Sequence, residues 1–559
     1  MKRRNFIQLA AIGTGAFAFE QAAAFPFSPN EITSDLVIAG AGLGGCAAAL
    51  SALNNGLKVV LTEDSDWIGG QLTSQGVPPD EHQWIETHGS SKNYRRLRTN
   101  IRNYYKHHEP LTADAMARPK LNPGDGLVSA LCCEPRIAEA ALFEMLAPYI
   151  HAKKLILLTE HTIISADVTG DKVHALRALN NKTGKKITLT APYFIDATEL
   201  GHLLPLTGTE YVTGAESKGQ TGELHAPEKA DPKNQQAFTI CFAMEHIDGA
   251  NNITSKPAGY DKWRNFIPQL TPPWPGKLFD LTYSNPQTLT ARTVGFDPSG
   301  KITGDQMNLW NYRRIVNKNN FKPGYLKSDV TLVNWPQNDY LPGNLVDVSP
   351  EEYKANVADA RQLSLSLFYW LQTEAPRMDG GTGWPGLRLK GDVLGTTDGL
   401  AKRPYIRESR RIKAAFTILE EHVGAANRAL ITGKSVNKAA DFYDTVGTGY
   451  YRIDLHPSSG GTNYIDIESL PFQIPLGALL PQRMENLLPA CKNIGTTHIT
   501  NGCYRLHPVE WSIGEAAGLL AAFALKKKVI PKAVRENPTL LQEFQQLVQS
   551  SGLDTHWPA

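Results

Sequence analysis

Residues 36–71 constrain this chain more than any other stretch, because they supply in order a strand, a glycine turn, a helix and a second strand with an acidic end. Leu36, Val37, Ile38 and Ala39 form a short apolar run that reads as a buried strand. Gly40, Gly42 and Gly45 then fill the three positions of G-x-G-x-x-G, with Ala41 and Leu43 between them, and residues 46–54 continue as a small-residue helix. Each glycine has its own reason: a tight turn at Gly40, close approach of a pyrophosphate at Gly42, and close packing of helix on strand at Gly45. A phosphate would meet the positive end of the helix. Residues 58–62 give a second strand that ends at Glu63, placed to accept hydrogen bonds from a ribose. The fold expected is α/β, with a Rossmann-like dinucleotide-binding domain.

The segment after Glu63 selects the dinucleotide. Residues 67–75, with Gly70, Gln71, Leu72, Thr73 and Ser74 at their centre, resemble the segment of flavoprotein oxidoreductases that runs from the FAD pyrophosphate onto the isoalloxazine ring. FAD is therefore the expected cofactor. No second clear G-x-G-x-x-G points to a separate NAD(P) domain.

The chain of 559 residues exceeds what one core usually supports. Its amino terminus has Lys2, Arg3 and Arg4 before an apolar stretch and an alanine cluster at Ala22, Ala23 and Ala24. This reads as a signal peptide over 1–24, and the paired arginines followed by Asn5, Phe6 and Ile7 resemble a twin-arginine export signal, so a periplasmic protein is expected. Its removal takes Lys2, Arg3, Arg4 and Glu20 from 57 basic and 55 acidic residues, leaving 54 of each. A neutral mature chain argues against nucleic acid as a partner. No later run is long enough to span a membrane, and residues 516–525 read as a buried helix. The six cysteines are too scattered for a disulfide scaffold and lack zinc-ligand spacing, so no metal site is expected.

The first part of the FAD-binding domain is expected over 33–204. It includes a basic helix from Tyr94, three strands separated by turns at 169–171 and 180–182, and a strand leading into Asp196, Ala197, Thr198 and Glu199. Ala197 and Thr198 resemble the element with which two-dinucleotide-binding-domain flavoproteins return to the adenine half of the cofactor. Residues 205–375 are richer in Trp, Tyr, Pro and Asn and read as an inserted α+β substrate or cap domain. Aromatic rings interleaved with amides, as at 308–315 and 334–340, suit a carbohydrate, so Asn338 and Tyr340 are candidate substrate residues. Arg407 and Arg410, in the segment 404–412, are candidates for orienting an anion or carbonyl.

Residues 376–528 are expected to complete the FAD domain and 529–559 to form a tail helix. Here Arg505, Leu506, His507 and Pro508 lead into Gly514, Glu515 and Ala516, small residues that would let a planar ring sit against a positive helix end. Together these segments resemble the FAD-dependent oxidoreductases of the FAD_oxidored type, relatives of the fumarate reductase and glucose-inhibited division flavoproteins, over most of 33–528. The resemblance implies that Gly40, Gly42, Gly45 and Glu63 take the adenosine and pyrophosphate, that 70–74 run beneath the ring, and that 514–516 meet its pyrimidine side. The resemblance fixes the cofactor and not the substrate; flavin chemistry and the aromatic–amide segments give the expectation that a hydride leaves an alcohol or amine carbon of a polar or sugar-like small molecule. His507 is the first candidate acid or base, with His498 and His82 behind it. A polysaccharide lyase or hydrolase with a structural flavin, and a non-catalytic electron-transfer module, are the alternatives. No feature identifies the electron acceptor, although the absence of Cys-x-x-Cys-His excludes a built-in c-type haem.

Overall fold

The computed structural model describes residues 27–28, 30–301, 306–434 and 437–558, so the expected export segment lies outside the described residues. Five parallel strands form the central sheet in the order Leu487–Pro489, Tyr193–Asp196, Leu36–Ala39, Val59–Glu63, Leu155–Thr159. A carboxy-terminal strand thus pairs with Tyr193–Asp196, joining chain segments almost 300 residues apart. This is the mixed α/β, Rossmann-like fold expected.

The strands are apolar at nearly every position because both faces are covered. Leu36 and Ile38 belong to the core shared with the helices Leu43–Asn54 and His507–Lys527, whereas Val37 and Ala39 pack with Ile163, Val173 and Leu176 of a second sheet. That second sheet contains the meander His161–Thr169, Lys172–Asn180 and Lys186–Thr190, with Glu31–Thr33 parallel to its third strand.

Glycine sets the spacing of the two helices. A Cβ on Gly514 would overlap the Gly44 carbonyl, and one on Gly518 would overlap the Ala48 carbonyl and Ser51 Oγ. Backbone meets backbone along this contact, and no larger residue fits. The separate aromatic core lies between a four-stranded antiparallel sheet (Arg314–Val316, Val330–Val333, Phe242–His246, Leu387–Leu389) and the helix Pro350–Thr373, and buries Trp263, Trp310, Trp335 and Trp370. No described helix is long and apolar enough to cross a membrane. All six cysteines are buried with free thiols.

The basic helix is Lys92–His108, capped by Ser91, whose hydroxyl accepts from Tyr94 N–H at 3.0 Å. Its buried Arg98 donates to Glu81 at 2.9 Å and Arg102 to Glu86 at 2.6 Å. These arginines bind the protein's own carboxylates, so the helix holds residues 81–86, and with them Asp80, in a fixed loop.

Candidate active site

Two cavities stand out, and the segment 404–407 touches the walls of both. The first runs over Gly40, Gly42, Thr62, Glu63, Gly70, Ser74, Ala197 and Thr198. Its floor requires bare backbone. Gly40 has φ +93°, and a Cβ there would collide with the Ala197 carbonyl; a Cβ on Gly70 would meet both Glu199 and Gly42. Ala41 N–H donates to Glu63 Oε2 at 2.9 Å, tying the glycine turn to the end of the neighbouring strand, while Glu63 Oε1 accepts from Ser65. Burial, reinforced by Asp64, pushes the Glu63 carboxyl up to about 8.

At the start of Leu43–Asn54, Gly44 N–H donates to Glu510 Oε1 at 3.1 Å. Lys492, buried completely, donates to Glu199 at 2.5 Å and to Glu510 at 3.3 Å. Gln71 joins the same group through Nε2, which donates to Glu510 Oε2 at 2.5 Å and to the Arg505 carbonyl at 3.1 Å. Gln71 Oε1 and Glu199 Oε1 are buried without a hydrogen-bond partner.

The second cavity, of about 300 Å³, is walled by Tyr283, Tyr312, Trp335, Tyr451 and Tyr464 together with arginines, aspartates and His456. His456 Nδ1 lies 2.6 Å from Asp339 Oδ2, and its Nε2 lies 3.9 Å from Asp454. Burial works against ionisation of Asp339, yet Arg407, whose Nη2 is 3.0 Å away, and His456 hold its carboxyl below the usual range. Pro404 and Ile406 line the first cavity, and Arg407 donates to Asn334 in the wall of the second at 3.0 Å.

A family model described as FAD dependent oxidoreductase matches residues 35–548. The chain belongs to this family. Its cofactor is FAD, and the first cavity fits that group: a glycine cradle without side chains, the amino end of a helix, the strand-end carboxyl of Glu63, and the buried orphan oxygen of Glu199. No curated protein matches the chain. Among solved structures it is similar to a geranylgeranyl bacteriochlorophyll reductase-like protein from Thermoplasma acidophilum, at 11% identity and a TM-score of 0.32 over 94% of this chain and 85% of that one. It is also similar to the FAD-complexed glycerol-3-phosphate dehydrogenase of Bacillus halodurans (13% identity, TM-score 0.21, 38% of this chain and 40% of that one). A third is L-proline dehydrogenase from P. horikoshii (13%, TM-score 0.18, 34% of this chain and 24% of that one). The chain thus spans well under two thirds of these two dehydrogenases, and at such scores the likenesses carry no function.

Within this flavoprotein, the sequence-derived candidates divide. Gly40, Gly42, Glu63, Gly70, Ser74, Ala197 and Thr198 line the first cavity. Ala41, Leu43 and Gly45 form the turn and helix start beneath it, and Leu72 and Thr73 are buried in and just after the short turn Gly70–Leu72. Gly514, Glu515 and Ala516 do not reach it. The helix begins at His507, so these residues lie two turns inside, where Gly514 serves helix packing and Glu515 accepts from Asn93 at 2.6 Å.

The histidine candidates are each engaged by protein partners. His507 Nδ1 accepts from Asp80 N–H at 3.1 Å and Nε2 faces the Val77 carbonyl at 3.3 Å, so backbone engages both nitrogens. Burial lowers its pKa to about 4, and it acts as a neutral bracket between loop and helix. His498 is paired with Glu408 at 2.8 Å inside a buried network with Arg411 and Glu216. His82 packs among Trp84, Tyr450 and Trp557 with Nε2 3.1 Å from the Gly89 carbonyl.

Among the expected substrate residues, Arg410 is taken by Asp347 and the Leu200 carbonyl, Asn338 by the Ile240 and Val333 carbonyls, and Tyr340 by Asp359. None of the three lines either cavity, because each is consumed by protein partners. Arg407 stands behind the wall, holding Asp339 and Asn334. His456 and Lys492 lie beyond the reach of sequence reasoning. His456 earns its place only through Asp339, 117 residues away, and a single sequence carries no trace of that pairing.

Proposed function

We propose that this FAD-dependent oxidoreductase oxidises an alcohol carbon of a polar, sugar-like small molecule held in the second cavity, with His456 as proton acceptor. The observation that carries this reading is the His456–Asp339 pair in an aromatic cavity wall, tied through Arg407 to the segment 404–406 that lines the cofactor cavity. Asp339 accepts at Nδ1, which fixes the ring and leaves Nε2 as the basic nitrogen toward the cavity. Arg407 keeps Asp339 ionised, so the imidazolium formed on proton uptake is stabilised by a buried carboxylate. Tyrosine and tryptophan faces receive C–H groups and exclude water. FAD, when bound, supplies the two-electron acceptor for the hydride that leaves the alcohol carbon. The hydroxyl proton passes to His456 Nε2, and the carbon becomes a carbonyl. We place the protein in the periplasm, a reading supported by the twin-arginine pattern at Arg3 and Arg4.

Anaerobic screening of purified holoprotein against sugars, polyols, hydroxy acids and amines tests the reading. Bleaching of the flavin by an alcohol, slowed in His456→Gln, is expected. Equal bleaching rates in the two proteins would sink the role of His456, and activity that persists in flavin-free protein would favour the lyase alternative.

A further inference from the structure

The second cavity presents polar groups that the protein itself leaves unsatisfied. Arg313 is 7% exposed; its Nη1 faces Asp80 Oδ1 at 3.3 Å as an ion pair without a hydrogen bond, and its Nε has no partner. In the same wall the Tyr464 hydroxyl and Trp335 Nε1 are buried without partners. A buried donor left unpaired costs about 1–3 kcal/mol, so several converging on one cavity mark the acceptors of a ligand.

The charges indicate what kind of ligand. Arg292, Arg313 and Arg452 line the cavity, and Arg505 lies behind it on Asp454. Against these four cations stand Asp80, Asp454 and Asp466. His456, Asp339 and Arg407 form a separate group. One positive charge is left over: Arg313, Arg452 and Arg505 pair with Asp80, Asp466 and Asp454, so the surplus falls on the partly exposed Arg292, while the buried Arg313 keeps an unpartnered Nε, and a guanidinium pair of this kind suits a carboxylate.

We propose that the cavity takes a hydroxylated small molecule bearing one carboxylate, a sugar acid in preference to a neutral sugar. Arg313 holds the carboxylate, and Tyr464 and Trp335 serve the hydroxyls. The inference rests on the reading of this cavity as the substrate site, and deepens it.

The test uses the holoenzyme, titrated under anaerobic conditions with D-gluconate and D-glucuronate beside D-glucose and methyl β-D-glucoside, and read by the flavin absorbance change and by calorimetry. At least tenfold tighter binding of the acids is expected. Arg313→Gln should abolish that preference with FAD content retained, the acids losing at least tenfold in affinity and the neutral sugars only a few fold. Because removing Arg313 leaves Asp80 unpaired, the double variant Arg313→Gln/Asp80→Asn supplies a charge-balanced check, with the same loss expected. Tyr464→Phe should weaken acids and neutral sugars alike by a few fold without lowering Tm, an outcome a purely structural hydroxyl would not give. Equal affinity for acids and neutral sugars, or a preference that survives in both Arg313 variants, overturns the inference; bleaching by neutral sugars in that case leaves the oxidation itself standing. If no alcohol binds or bleaches the flavin, both readings fall.

Discussion

Asp339 is 1% exposed and sits between a guanidinium and an imidazole, so the two ends of the pair should fail differently. His456→Gln removes a proton acceptor at the cavity wall; turnover should fall by about 10²–10⁴-fold with FAD retained and little change in Tm. Asp339→Asn should lose turnover and also stability, on the order of 3 kcal/mol, because the Arg407 charge is left buried and unpaired. Steady-state kinetics beside thermal melts would separate these outcomes, and a His456→Gln enzyme at full activity would refute the assignment. Glu515 poses the opposite case. Its carboxyl is raised to about 7 by burial, so the folded state holds a proton that the unfolded chain has released above its ordinary pKa. Stability from this group is present at low pH and lost as pH rises through 7. Glu515→Gln should therefore stabilise by on the order of 2 kcal/mol at pH 8 and very little at pH 5, with FAD content unchanged. Loss of FAD in that variant would return Glu515 to the cofactor site.

At the scale of elements, the contact between Leu43–Asn54 and His507–Lys527 governs the cofactor cavity. The Gly44 backbone lies against Gly514 on one side and against the Ala490 carbonyl on another, while its N–H meets Glu510. Gly514→Ala should force the helices apart, cost about 1–3 kcal/mol, and weaken FAD binding through displacement of the helix start. Melting curves and FAD titration would register both, and an alanine variant with wild-type Tm would contradict this packing. The small residues near 514 are legible in the sequence, but their purpose is not. A ring-binding face and a helix-packing face ask for the same residue types, and only the second helix distinguishes them. The basic run from Tyr94 is similarly ambiguous until Glu81 and Glu86 are seen against Arg98 and Arg102.

For the whole molecule, several buried or half-buried carboxyls are raised, Glu63 to about 8, and the half-buried Glu139 and the buried Glu223 and Glu515 to about 7, in each case through desolvation first. The folded state then binds more protons than the unfolded chain between roughly pH 4.5 and 8, and stability falls as pH rises across that interval. His82 and His507, lowered by burial to about 4, act in the other direction below their ordinary 6.5. Tm should be highest in mildly acidic solution and decline toward pH 9; a monotonic rise would show that these groups are solvated.

Local sequence was enough to dictate the Rossmann-like unit, because a glycine turn, its flanking strand and helix, and the acid at Glu63 are close in the chain and each answers a steric or electrostatic demand within 30 residues. Ala197 and Thr198 line the cofactor cavity beside Gly40, and the aromatic residues of the middle of the chain gather in a core of their own. Which polar residues face a ligand was settled only by packing. Arg410, Asn338 and His507 are spent on backbone and carboxylate partners, whereas His456 and Arg313 reach a cavity, since a side chain's availability depends on neighbours brought from 60 to more than 400 residues away.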